Sequence, residues 1–130
     1  MAEEKRFEIK VKKFLDQFGC WYVKYWGGGE FTKAGVPDLL CCVGGKFIAV
    51  ELKGASGRPS DLQLRTLKKI EDAGGISCLL YPKDFPVWKA WIEDLLMDVT
   101  IHDEIDTPFV SNWHKEYRKR GIGNAGKEEE

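Results

Sequence analysis

The sequence lacks any long apolar run, and nothing in it approaches the roughly 20 residues that a membrane-spanning helix needs. Its opening, MAEEKRFEIK, has no apolar stretch of the kind a secretory signal carries. Histidine is scarce, with only His102 and His114, and both lie far from the cysteines. Adjacent Cys41-Cys42 fits no common zinc spacing, and Cys20 and Cys78 do not complete one. Three of the four cysteines fall in or beside apolar, strand-like segments. They therefore read as small buried hydrophobes in a reducing cytoplasm, not as a disulfide framework or metal cage. A surplus of positive charge is also missing: 20 Lys and Arg against 21 Asp and Glu leave a formal net charge of −1. That excludes coating DNA through bulk charge, but leaves room for a local basic surface beside an acidic site.

What is present suits one globular domain. The chain has 130 residues, 43% hydrophobic and 32% charged, enough to bury one core but not two. Residues 4–18 read as a helix, because Phe7, Val11, Phe14 and Phe18 recur on one face, Leu15 widens the stripe and Gly19 offers a stop. The aromatic run WYVKYW at 21–26 reads as a strand, and Gly27-Gly28-Gly29 opens a loop to Pro37. Residues 38–43 and 46–53 are strands joined by the two-residue hairpin signal Gly44-Gly45.

A second helix spans 60–73, with Leu64, Leu67, Ile70 and Ala73 on one face. Ser60 and Gln63 match a capping box and Gly74-Gly75 ends it. A fourth strand follows at 76–81. A third helix at 85–97 turns Val87, Trp88, Trp91, Leu95 and Leu96 toward the core. The order αβββαβα predicts an α/β fold, a mixed β-sheet flanked by helices. Residues 1–97 form that domain. Residues 98–130 read as a C-terminal extension: acidic over 98–106, basic over 114–120 and frayed at the end. No internal repeat is visible.

One cluster breaks the apolar pattern. Glu51 and Lys53 alternate with Val50 and Leu52, so the charged pair shares one face while the aliphatic pair points into a core. A carboxylate and an amine at the end of an apolar strand are expensive to desolvate without a partner or a task. The Gly44-Gly45 turn makes Val43 and Lys46 partners, and counting back along both strands sets Asp38 opposite Glu51. Pro37 helps hold the turn before Asp38. Two carboxylates and a lysine at such range suit Mg²⁺, a hard cation that takes oxygen ligands and keeps several waters. Asp38 and Glu51 are the expected ligands, with the Leu52 backbone carbonyl as a third. Lys53 is expected to orient the attacking water or stabilise the phosphate. The plainer alternative makes Glu51 and Lys53 a solvated edge pair and Asp38 a turn residue, since D…ExK strings occur by chance.

The combination GVPDLL…FIAVELK…SDLQ…GG resembles the VRR-NUC family of the PD-(D/E)xK nuclease superfamily, over about residues 4–96. The family's motif residues fall on Pro37-Asp38, Glu51-x-Lys53 and Gln63. The resemblance implies a restriction-endonuclease-like fold and DNA cleavage dependent on Mg²⁺, with Mn²⁺ able to substitute. Stand-alone phage members are similar to Holliday junction resolvases and homodimeric. This implies a homodimer acting on branched DNA, a viral or prophage origin and residence in the host cytoplasm. A flap or nicking nuclease of phage replication and a non-cleaving DNA-binding module of the same fold are the alternative readings.

Family members also place a carboxylate on the first helix. Glu8 is the candidate, because its distance to Gly19 resembles the spacing in archaeal junction resolvases, and it borders the apolar stripe; Glu4, one turn earlier, competes with it. Gln63 has two readings, a helix cap for Ser60 or a contact to the attacking water or Lys53, and both at once look incompatible. Lys24, Lys33, Lys46 and Arg58 surround the motif in sequence as candidate phosphate contacts. Trp21, Tyr22, Tyr25 and Trp26 are candidates for stacking on unpaired bases or for core and dimer packing. The basic run 114–120 reads either as a DNA contact or as a solvated helix end.

Overall fold

The structure is a computed structural model that describes residues 2–27, 33–97 and 107–122. The acidic stretch 98–106, part of the glycine-opened loop (28–32) and the C-terminal 123–130 lie outside the described residues. Helix α1 (Glu3–Gln17) buries Phe7, Val11, Phe14 and Leu15 as the spacing predicts. Phe18 instead sits at the C-cap, where Gly19 at φ 68° turns the chain away, and the ring is left partly exposed.

Strands β1 (Trp21–Lys24), β2 (Leu39–Val43), β3 (Lys46–Leu52) and β4 (Ile76–Leu80) form one sheet in the order β1-β2-β3-β4. The first three are antiparallel and β4 runs parallel to β3. Helix α2 (Asp61–Asp72) lies within the crossover that parallel strands require. Gly44 and Gly45, at φ 55° and 80°, supply the two positive φ values of a tight hairpin turn. The turn sets Leu39 against Val50 and Leu40 against Ala49, so the next pair beyond the ladder is Asp38 and Glu51.

Each strand alternates between two helical layers. Leu39, Cys41, Val43, Ile48, Val50, Leu52, Cys78 and Leu80 pack with α1 and with α3 (Phe85–Leu96). On α3 the buried stripe is Trp88, Trp91, Ile92 and Leu95. Val87 and Leu96 are exposed, because at 100° per residue they fall on either flank of that stripe. The opposite face of β3 and β4 packs Leu79 against Leu64 and Leu67 of α2. On α2, Ile70 is half-buried and Ala73, at the C-cap, is exposed. Cys20, Cys41 and Cys78 are buried free thiols, while Cys42 is exposed. Among the described residues no helix is long and apolar enough to cross a membrane.

The expected extension contains a fourth helix. Residues Pro108–Arg120 form α4, which buries Phe109, Val110 and Trp113 against the sheet. Phe109 meets Trp91 at 4.9 Å between ring centroids, on the α1–α3 side. Trp113 joins Leu64, Leu67 and Leu79 on the other side, and its indole N–H donates to the Ser77 carbonyl at 2.7 Å. Helix α4 therefore spans the outer edge of β4 and occupies a backbone acceptor there, which blunts an edge strand. The sequence understated this element because its few buried apolar residues, Phe109, Val110 and Trp113, are confined to its first half and a basic run fills the rest. We expect Trp113→Ala to lose about 3–5 kcal/mol in urea unfolding. A helix merely attached to the domain would lose almost nothing.

Candidate metal and active site

The row of side chains at the end of β2 and β3 carries the charged groups. One Asp38 oxygen, Oδ2, accepts the Leu52 backbone N–H at 2.8 Å, and Oδ1 lies 3.3 Å from the Lys24 ammonium. In an extended strand a residue's N–H and C=O point to the same side, so the Leu52 carbonyl also faces the β2 edge where Asp38 lies. Glu51 is almost fully buried, at 2% exposure. Its Oε2 accepts the Gln63 amide at 2.9 Å and lies 3.4 Å from the Lys53 ammonium. Its Oε1 is buried without a hydrogen-bond partner among the described residues. Burial, and then the negative charge of Asp38, outweigh Lys53 and push the Glu51 carboxyl up to about 8.

Gln63 caps the helix and still reaches the acidic cluster, but at Glu51 and not at Lys53. Its Oε1 accepts the Ser60 N–H at 2.8 Å and its own backbone N–H donates to Ser60 Oγ, completing the capping box. Because the carbonyl end must face that donor, the amide nitrogen is turned away from Ser60, toward the buried Glu51, to which it donates. The side chain contacts the carboxylate and not Lys53. A single amide thus starts α2 and orients the buried carboxylate.

Glu8 reaches the same end of the sheet from α1 and is buried, whereas Glu4 is exposed. Lys24 bridges the helix carboxylate to Asp38: its ammonium lies 2.7 Å from Glu8 Oε1 and 3.3 Å from Asp38 Oδ1. Lys12 pairs with the other Glu8 oxygen at 2.9 Å. Burial alone would raise the Glu8 carboxyl, but the Lys24 and Lys12 hydrogen bonds outweigh it and hold Glu8 down at about 2. Burial disfavours the Lys24 ammonium, yet the Glu8 hydrogen bond and the Asp38 charge more than offset it and raise its pKa. Lys24, expected as a phosphate contact, is here the internal counter-ion of two carboxylates. The signal that could have found it is the β1–β2 pairing, which sets Lys24 against Leu39, next to Asp38.

The other expected phosphate contacts are scattered. Lys46 begins β3 at the hairpin turn, five residues from Glu51 along the strand and so about 17 Å away. Lys33 is exposed, and its backbone N–H and C=O both bond the Tyr25 hydroxyl. Arg58 is exposed on the segment 53–60, beside a cleft. Trp26 is 67% exposed, with the ammonium groups of Lys24 and Lys5 at 5.4 and 5.6 Å from its ring centroid. Glu3, which the sequence did not single out, accepts the Ala55 N–H at 2.9 Å and ties α1 to the segment after Lys53.

The described residues contain no group of three or more His, Cys, Asp and Glu arranged as a metal cage. The donors here are Asp38, Glu51 and a backbone carbonyl. Such a sparse all-oxygen set fits Mg²⁺, which retains waters, better than an ion needing a full protein shell. The unpartnered Glu51 oxygen supports that fit, because a buried carboxylate oxygen beside a second carboxylate is stabilised by a cation. No protein-family model matches the chain, and no curated protein matches its sequence.

Glu51 also sets a pH dependence in metal-free protein. It titrates near 4.5 when unfolded and about 8 when folded, so between those values the native state keeps a proton that the unfolded state has lost. The associated stability is complete below pH 4.5 and is lost as pH rises through 8. We expect wild type to lose up to about 1.4 kcal/mol per pH unit relative to Glu51→Gln across pH 5–8. Parallel urea-unfolding profiles for the two proteins would contradict this.

Proposed function

We propose that this chain is a divalent-metal-dependent endonuclease that hydrolyses DNA phosphodiester bonds, of the VRR-NUC type. The observation that carries the reading is the buried Glu51 carboxylate, one oxygen unpartnered, beside Asp38 and paired to Lys53. Asp38, Glu51 and the Leu52 carbonyl would hold Mg²⁺ or Mn²⁺. When bound, the metal supplies a more acidic water and neutralises charge developing on the phosphate.

The protein's own groups divide the remaining work. Gln63 holds Oε2 of Glu51, so Oε1 is the oxygen left to face a cation. Lys53 extends from the same strand face and is only 13% exposed, so its ammonium can donate to a phosphate oxygen in a partly desolvated setting. Lys24 compensates the charge of Glu8 and Asp38 before a metal arrives. The exposed indole of Trp26, beside Lys24, offers a stacking face to an unpaired base, which favours branched DNA over continuous duplex. A homodimer would present two such sites across a two-fold axis, matching a four-way junction. The free buried thiols suit a reducing cytoplasm, that of the host if the protein is viral.

Purified protein with Mg²⁺ or Mn²⁺ should cut four-way junctions or flaps in preference to linear duplex and single strands. Lys53→Ala should lower cleavage on the order of 10²–10³-fold while metal binding persists. Asp38→Asn should abolish both metal binding and metal-dependent cleavage while largely sparing DNA binding. Failure of wild type to cut any of these substrates, or full activity in Lys53→Ala, would overturn the assignment. Lys24→Met separates counter-ion from ligand. Metal-free protein should lose roughly 1–2 kcal/mol, about 5 °C in Tm, while calorimetry shows tighter Mn²⁺ binding because a competing cation is gone. Unchanged or weaker Mn²⁺ binding would count against that role.

A further inference from the structure

Next to Lys53 lies a cleft of about 460 Å³, bounded by the segment 53–60, the 3-10 turn Pro82–Asp84 and α4. Leu79 and Tyr81 line it, as do three cations from three separate elements, Arg58, Lys83 and Lys115. Among the described residues none of these cations makes an ion pair or hydrogen bond. The one acid lining the cleft, Glu116, is held by Arg120 at 3.0 Å. Behind it Asp84 is buried and bonded to the Asn112 amide. In a chain of net charge −1, the cleft concentrates uncompensated positive charge on one surface.

The wall bearing Arg58 is fixed at three points. The Tyr81 hydroxyl donates to the Gly57 carbonyl and Arg120 donates to the Pro59 carbonyl, both at 2.9 Å, while Glu3 holds the Ala55 N–H. Gly57 packs on the Lys53 stem, where a Cβ would come within 3.2 Å of Lys53 Cβ. The wall of the cleft therefore rests on the stem of the candidate catalytic lysine, and its ordering cost is already met in the free protein.

We infer that this cleft binds the sugar–phosphate backbone of one DNA strand as it leaves the catalytic site, with Arg58, Lys83 and Lys115 contacting successive phosphates. This rests on the nuclease reading, and it gives α4 a task beyond covering the sheet edge. Three cations from separate elements lining one cleft together with Leu79 and Tyr81 suit a chain of alternating sugars and phosphates, and a lone anion would leave most of its 460 Å³ unfilled.

The test measures binding without cleavage. A fluorescein-labelled flap duplex is titrated in EDTA, over a range of salt, with wild type, Arg58→Ala, Lys83→Ala, Lys115→Ala and the surface control Lys13→Ala. Each cleft variant should bind at least several-fold more weakly and reduce the slope of log K against log salt by about 0.7–0.9. Lys83→Glu combined with Lys115→Glu should lose more than tenfold, with an unchanged thermal melt excluding misfolding. Lys13→Ala should match wild type. Failure of wild type to bind, cleft variants with wild-type slope, or an equal loss in Lys13→Ala would overturn the inference. So would competition by inorganic phosphate or a nucleoside monophosphate as effective, per phosphate, as competition by a 12-nucleotide strand. Wild type that binds through the cleft yet cuts nothing with Mg²⁺ would remove the nuclease reading and leave the cleft standing.

Discussion

Burial of the Glu51 carboxylate at the end of an otherwise apolar strand is the constraint around which the rest of the structure is arranged. A carboxylate at 2% exposure is unfavourable by several kcal/mol unless partners surround it. Two partners are supplied, Lys53 from the residue that follows β3 and Gln63 from the first turn of α2, while the register set by the Gly44-Gly45 turn brings up a second carboxylate, Asp38. The compensation is incomplete, because one Glu51 oxygen has no partner and Asp38 adds charge of the same sign. A cluster left short of positive charge in this way is poised for a cation.

The other half of the cluster is balanced differently. Glu8 comes from the layer on the opposite face of the sheet and is compensated by lysines alone. Lys24 couples the two halves, since its ammonium touches both Glu8 and Asp38. Strand β1, short and at the sheet edge, earns its place partly by carrying that ammonium. The carboxylates thus fall into a compensated member, Glu8, and an under-compensated member, Glu51, with Asp38 between them.

Helix α4 links stability to this chemistry. Trp113 closes the β4 edge and the smaller core, while Arg120 at the end of the same helix holds Pro59 and Asp61. The segment after Lys53 is therefore anchored by α1 through Glu3, by the end of β4 through Tyr81 and by α4 through Arg120. Loosening α4 is expected to disturb the surroundings of Lys53 even though no α4 residue belongs to the acidic cluster.

The mixed sheet, its helical flanks and the pairing of Asp38 with Glu51 were legible in the sequence, because they depend on local signals. Residues three and four apart share a helix face, alternate residues share a strand face, and two glycines with positive φ allow only a tight turn. Gln63 was legible as a cap from Ser60, and Glu8 as a residue bordering the apolar stripe. Only the tertiary structure decided that one amide serves both Ser60 and Glu51, that Lys24 sits between two carboxylates, that Lys46 lies far away and that α4 belongs to the core. Each of these depends on distances between segments far apart in the chain, and a pairing of charges through space leaves no period or spacing in the sequence that produces it.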